Sequence, residues 1–280
     1  MDTHTLSALE PPENAAPRGY RTRLYGAWNW VGLATLVRRE VMRFVKVSAQ
    51  TVVAPLMSTL LFMVVFAFAF AGRTWSNTGA PYVNGLAPGL VMMSILSNAF
   101  QNASSSMMTA KTQGNTVDFL MPPLSALELT IAFIIGAAVR GLTVGFASLL
   151  AVSLFAQITP MHALGAIYFA TCAAVIFGAI GLLGGIWAQK FDQMAVVTNF
   201  IITPLTFLSG TFYSVDALPR AFAAVLHWNP VFFLIDGFRW SFIGVAHSDI
   251  GQGAVFCGLL AAALCWASCA VLKTGYGLKA

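Results

Sequence analysis

Residues 251–272 read GQGAVFCGLLAAALCWASCAVL, twenty-two positions without a charged side chain. A helix of that length reaches about 33 Å, enough to cross the roughly 30 Å hydrocarbon core of a bilayer. A second block, residues 57–71, runs fifteen positions without a charge. Across the 280-residue chain only 9% of residues are charged and 58% are hydrophobic, where soluble domains average roughly 25% charged. Too little polar surface remains to cover a soluble core of this size. The expected fold class is an all-α polytopic membrane protein.

The same reading, carried outward, predicts six transmembrane helices at about 50–71, 84–107, 126–156, 163–188, 194–213 and 252–273. Pro55 and Pro204 fall inside two of them, which membrane helices tolerate. Residues 1–24 are polar and proline-containing and are expected to form a flexible cytoplasmic tail. No basic start followed by an apolar stretch marks a cleavable signal peptide. Residues 28–47 read WNWVGLATLVRREVMRFVKV. There Val37, Val41, Phe44 and Val45 recur at helical spacing among Arg38, Arg39, Arg43 and Lys46, which predicts an N-terminal interfacial helix. A cytoplasmic extension of the first span is the other reading.

Orientation follows from the basic residues. The tail and first helix carry seven, and Lys111, Lys190, Lys273 and Lys279 bring that side to eleven, against Arg73, Arg220 and Arg239 opposite. The richer side, with both termini, is expected to be cytoplasmic. Residues 210–250 contain Pro219, Asn229 and Pro230, then an apolar stretch from 231 to 245 that carries Asp236 and Arg239. That stretch is short for a span, and a seventh crossing would reverse the charge rule. A re-entrant helical hairpin between spans five and six fits better. Asp236 and Arg239, three positions apart, could pair on one helix face.

The chemistry-bearing residues are sparse. None of the five lysines follows a glycine, so the phosphate-binding G-x-x-x-x-G-K-[ST] loop is missing. The four histidines are scattered and form no metal or catalytic constellation. Cys172, Cys257, Cys265 and Cys269 lie inside apolar blocks and read as core residues. The net charge of +5 sits beside the spans, which argues against nucleic acid. No aspartate or glutamate lies deep in a span, as an ion-coupled secondary transporter would require, and no internal repeat is evident. That class remains the alternative reading, and a lipid-modifying enzyme is disfavoured by the missing nucleophiles. The one deep charge is Arg140, out of register with Glu128 on the same helix. It needs a partner from a neighbouring span or subunit, a wet cavity, a lipid or an anionic substrate. Asn98 and Asn102 stand in an unusually polar stretch that reads either as packing glue or as a pathway lining. Residues 109–123 form a short polar segment ending in Pro122 and Pro123. Its Phe119, Leu120 and Met121 suggest apolar knobs for a partner protein.

APGLVMMS at 87–94 is followed by Asn98, AKTQ at 110–113, MPP at 121–123 and VRGL at 139–142. FD at 191–192, TPLTFLSGTFY at 203–213, LP at 218–219, NP at 229–230 and GFR at 237–239 come next. In this order, over residues 30–280, the set resembles the type-2 permeases of ABC transporters, in the NodJ/YadH-like export branch. The tail before about residue 25 has no counterpart there. The resemblance implies a transmembrane domain over 25–280 that moves an amphipathic substrate (a lipid-linked glycan, a lipid or a hydrophobic drug) across the plasma (inner) membrane. It implies a second permease subunit, with a homodimer expected, contact with membrane lipid, and cytoplasmic ABC ATPase subunits that bind ATP and Mg. This chain would bind no cofactor and catalyse nothing. Lys111, Gln113, Asn115, Phe119 and Leu120 would belong to the coupling helix that docks in the ATPase. Pro219, Asn229, Pro230, Asp236 and Arg239 would belong to the re-entrant hairpin capping the pathway, and Arg140 to a motif of the branch.

Overall fold

The computed structural model describes residues 28–75, 79–214, 226 and 229–277. The 1–24 tail, Pro219 and most of the predicted first limb of the hairpin lie outside the described residues. We number the helices α1 (Trp30–Val45), α2 (Ser48–Ala69), α3 (Tyr82–Thr112), α4 (Val117–Leu120) and α5 (Ala126–Val152). They continue as α6 (Ala163–Trp187), α7 (Phe191–Thr211), α8 (Pro230–Ile243) and α9 (Ile250–Thr274). Six of them, α2, α3, α5, α6, α7 and α9, are long and apolar enough to cross a membrane. The third span stops at Val152 rather than 156, where the chain passes into turns. The second is longer than expected, at 31 residues, because its polar end stays helical as far as Thr112.

The centre of the bundle is α3, which packs most extensively on α6 and α5. Between spans, lipid is as apolar as leucine, so close packing rather than the hydrophobic effect holds helices together. The sequence meets this with small residues. A Cβ at Gly181 would overlap the Phe100 carbonyl oxygen of α3, and one at Gly185 would lie 3.0 Å from the Ser104 carbonyl. Helices α2 and α9 flank this centre and leave most of their apolar side chains facing outward. Cys172 and Cys257 are buried, whereas Cys265 and Cys269 are only half-buried; all four are free thiols.

Pro204 has the consequence its chemistry dictates. Proline has no N–H and crowds the preceding turn, and α7 widens into π-turns at Thr198–Ile202 and Phe207–Thr211. Threonine hydroxyls add bonds along these turns: Thr203 donates to Thr198 O at 3.0 Å and Thr211 to Thr206 O at 2.7 Å. Asn229 serves two helices. Its Oδ1 accepts from Val231 N and caps α8, while its Nδ2 donates to Leu205 O and Ser209 Oγ in α7.

At 14 residues, α8 is about 21 Å long and too short to span. It is buried nearly all round, against α6, α3, α7 and α9. Asp236 and Arg239 do not form the ion pair that their spacing allows. The Asp236 carboxylate accepts from the backbone N–H groups of His247 and Ser248 and from the Ser248 hydroxyl, with the His247 ring at 3.1 Å. It ties the turn after α8 back to the helix. Arg239, 0% exposed, turns the other way. It donates to Gly85 O (2.9 Å) and Gly210 O (2.6 Å) and stacks on Trp75 at 4.6 Å. One guanidinium thus joins α3, α7, α8 and the loop before α3.

Candidate transport pathway and coupling surface

The first helix packs along one face and leaves the other exposed. Its inward face is Leu33, Leu36, Glu40 and Phe44, with Val37 beside them; Val45 is exposed and Val41 only partly covered. At its start Asn29 caps α1 through Gly32 N, and its own N–H donates to Glu128 Oε1 at 2.6 Å. Glu128 also completes a capping box with Ser125 at the start of α5, which satisfies orphan donors of both helices. Eleven residues later Glu40 packs on Gly136, where an added Cβ would lie 2.6 Å from the Glu40 Cβ. These two contacts, at either end, seat α1 on α5.

This brings two charges inward. Arg43 donates to Asn102 O (2.7 Å), Asn102 Oδ1 (3.0 Å) and Ser105 Oγ (3.2 Å), and its Nε lies 3.6 Å from the Glu40 carboxylate. Burial pushes the Arg43 guanidinium below its ordinary value, while Glu40 beside it raises it and Arg39 lowers it further. Asn102 is therefore taken up by α1 and does not line an open space. Arg140 on α5 reaches α3 at another point and donates to Asn98 Oδ1 at 3.3 Å, while Asn98 Nδ2 is held by Ser94 O.

Arg140 stands between two cavities. One, of about 590 Å³, lies between α2 and α3, with polar lining from Gln50, Thr51, Ser58 and Thr59 of α2, from Ser94, Ser97, Asn98 and Gln101 of α3, and from Arg140. Pro55, Phe62, Leu90 and Met93 supply apolar lining, again from both helices. The other, of about 250 Å³, lies between α3 and α7, with Gln101, Ser104, Ser105 and Arg140 again in its wall. Arg43 and Glu40 were not singled out in the sequence as pocket neighbours. The signal was there, because Glu40 continues the 33-36-40 spacing of the buried leucines.

At the α4 end, adjacent residues part company. Phe119 is 2% exposed and packs edge-on against Phe133 of α5, 5.6 Å between ring centres. The expectation that it projects as a docking knob is corrected: successive helical residues point about 100° apart, and this one turns inward. Leu120 (44% exposed) and Met121 (81%) form the outward tip, with Val117 beside them. Val117 and Leu120 edge a groove of about 670 Å³ whose lining also includes Trp187, Gln189 and Tyr276. Lys111 points away from solvent: its Nζ donates to the carbonyls of Ile186 (2.7 Å) and Ala188 (2.6 Å) and caps the end of α6. Gln113 and Asn115 are exposed and bond to each other. Among the described residues no cluster of metal-ligating side chains occurs.

Comparison with known proteins agrees with this architecture. The family model of the ABC-2 type transporter matches residues 32–243. The inner membrane transport permease YadH of Escherichia coli K12 is 33% identical over 259 residues, covering 89% of this chain and 98% of that protein. Nodulation protein J of Sinorhizobium fredii NGR234 is 22% identical over 205 residues, covering 73% of this chain and 77% of that protein. Its counterpart in Rhizobium meliloti is 20% identical over 233 residues, with 82% and 88% covered. The chain belongs to the ABC-2 type transporter family, as a membrane-spanning permease subunit.

Proposed function

We propose that this chain is the permease of an ATP-driven exporter in the inner membrane, with both termini cytoplasmic. It works as a homodimer over residues 25–280 and carries an amphipathic substrate outward. Separate ABC ATPase subunits hold ATP and Mg and supply the force. The reading is carried by the α4 corner: an apolar tip, Leu120 and Met121, exposed on a segment whose Phe119 is locked into the core. A surface that is apolar yet rigidly seated suits a docking contact, since little ordering entropy is lost on binding.

Force applied there has a path into the membrane. Pro123 and Glu128 hold the start of α1, and α1 ends on Asn102 and Ser105 beside the Arg140 cavities. A shift of α4 would therefore carry α1 with it and alter the polar face of α3. On the far side α8 is the re-entrant element that closes the pathway, with Arg239 as its pin. Co-expression with the ATPase tests the reading. A stable complex should form with two copies of each chain, and a cysteine at Asn115 should be labelled from the cytoplasm. Labelling only from outside would overturn it.

A further inference from the structure

We propose that the cavity between α2 and α3 binds an acidic amphiphile, with Arg140 taking its anionic oxygens and the apolar lining from both helices its hydrocarbon. Three observations carry this. Two guanidiniums, Arg43 and Arg140, reach the polar face of α3, at Asn102 and at Asn98, yet among the described residues Glu40 is the one carboxylate in ion-pair contact with either. Glu40 is spent on Arg43, and among the described residues no carboxylate lies within ion-pair distance of Arg140. A surplus cation remains inside the bundle, where an unmatched charge is costly.

Arg140 is also under-used. It is 9% exposed, its Nη2 makes one bond to a neutral amide, and its buried Nε makes none. A guanidinium offers five donors and favours oxyanions in a two-pronged contact. The cavity's lining is mixed as well. Ser97 and Gln101 stand beside Arg140, and Pro55, Phe62, Leu90 and Met93 supply apolar surface among the hydroxyls of Ser58 and Thr59. Beyond those, α2 turns Met57, Leu61 and Val65 outward. A headgroup alone would leave the apolar wall idle, and a hydrocarbon alone would leave the arginine uncompensated. This rests on the exporter reading only for its purpose, since it assigns the charge of the cargo headgroup.

The test needs neither ATP nor an ATPase, so its failure leaves the exporter reading standing. The purified full chain in dodecyl maltoside is titrated with phosphatidylglycerol, with phosphatidylcholine of the same acyl chains, and with inorganic phosphate, and bound lipid is read by native mass spectrometry. The first equivalent of phosphatidylglycerol should bind about tenfold more tightly than phosphatidylcholine, and phosphate should not compete at equal concentration. Arg140→Gln should abolish the preference and Arg140→Lys should keep part of it. Asn98→Asp, which places a carboxylate on Arg140 and so does not depend on tolerating its loss, should abolish it too. A double Arg38→Gln, Arg39→Gln variant, altering the exposed basic face, should bind as the parent does. A preference that is absent, that survives Arg140→Gln or Asn98→Asp, or that vanishes with Arg38 and Arg39 would overturn the proposal. Equal competition by phosphate would reduce the cavity to a free-ion site and overturn the amphiphile.

Discussion

Phe119 and Leu120 are neighbours in the chain with opposite environments, and exchanging each for alanine separates folding from docking. Phe119 is 2% exposed and rests on Phe133; truncating a buried phenylalanine costs about 3–5 kcal/mol. For a chain of this size, the low end of that range corresponds to a fall of roughly 6–12 °C in the apparent Tm. Leu120, at 44% exposed, has already lost much of its packing, so its truncation should change the Tm by only about 1–2 °C. In the complex the order reverses. If the ATPase covers Leu120, its loss should weaken association by about 1–2 kcal/mol, roughly five- to thirtyfold. The measurements are thermal unfolding of the permease alone, followed by intrinsic fluorescence, and affinity for the isolated ATPase in detergent. Equal stability losses would refute the burial argument. Unchanged affinity of Leu120→Ala would refute the docking surface.

Three further substitutions test the packing. Gly181→Ala sets a methyl against the Phe100 carbonyl and should cost about 1–3 kcal/mol. Gly184→Ala, three residues on in the same helix, meets only the flexible end of Met194, its methyl at 3.2 Å, and should be tolerated; equal yields of folded protein would contradict the close approach of α3 and α6. Arg239→Lys keeps the charge but loses the fork that reaches Gly85 O and Gly210 O together, so amide exchange should quicken at residues 82–90 and 207–213. Unchanged exchange there would show that the arginine does not pin the closure.

The spans were legible because each is an apolar block near twenty residues, a property of single segments. What stayed hidden depends on pairs of segments. Arg43 counts as one more basic residue in a charge tally, and its turn toward Asn102 becomes readable only once α1 is seated on α5. Arg239 spends its donors on the carbonyls of Gly85 and Gly210, and a backbone acceptor leaves no trace in residue identity. Its spacing from Asp236 suggested a pair, but the two N–H groups after α8 satisfy the carboxylate better. Lys111 looked like a coupling-segment charge, whereas α3 runs one turn past its apolar block and delivers it to the end of α6.

The account rests on a division of labour between this chain and a separate ATPase, and nucleotide hydrolysis measures that division directly. In proteoliposomes the purified chain alone should show no ATP hydrolysis above background. The pair assembled with its ATPase should hydrolyse ATP, and Leu120→Asp should uncouple that hydrolysis from the permease. Hydrolysis by the chain alone would contradict the account.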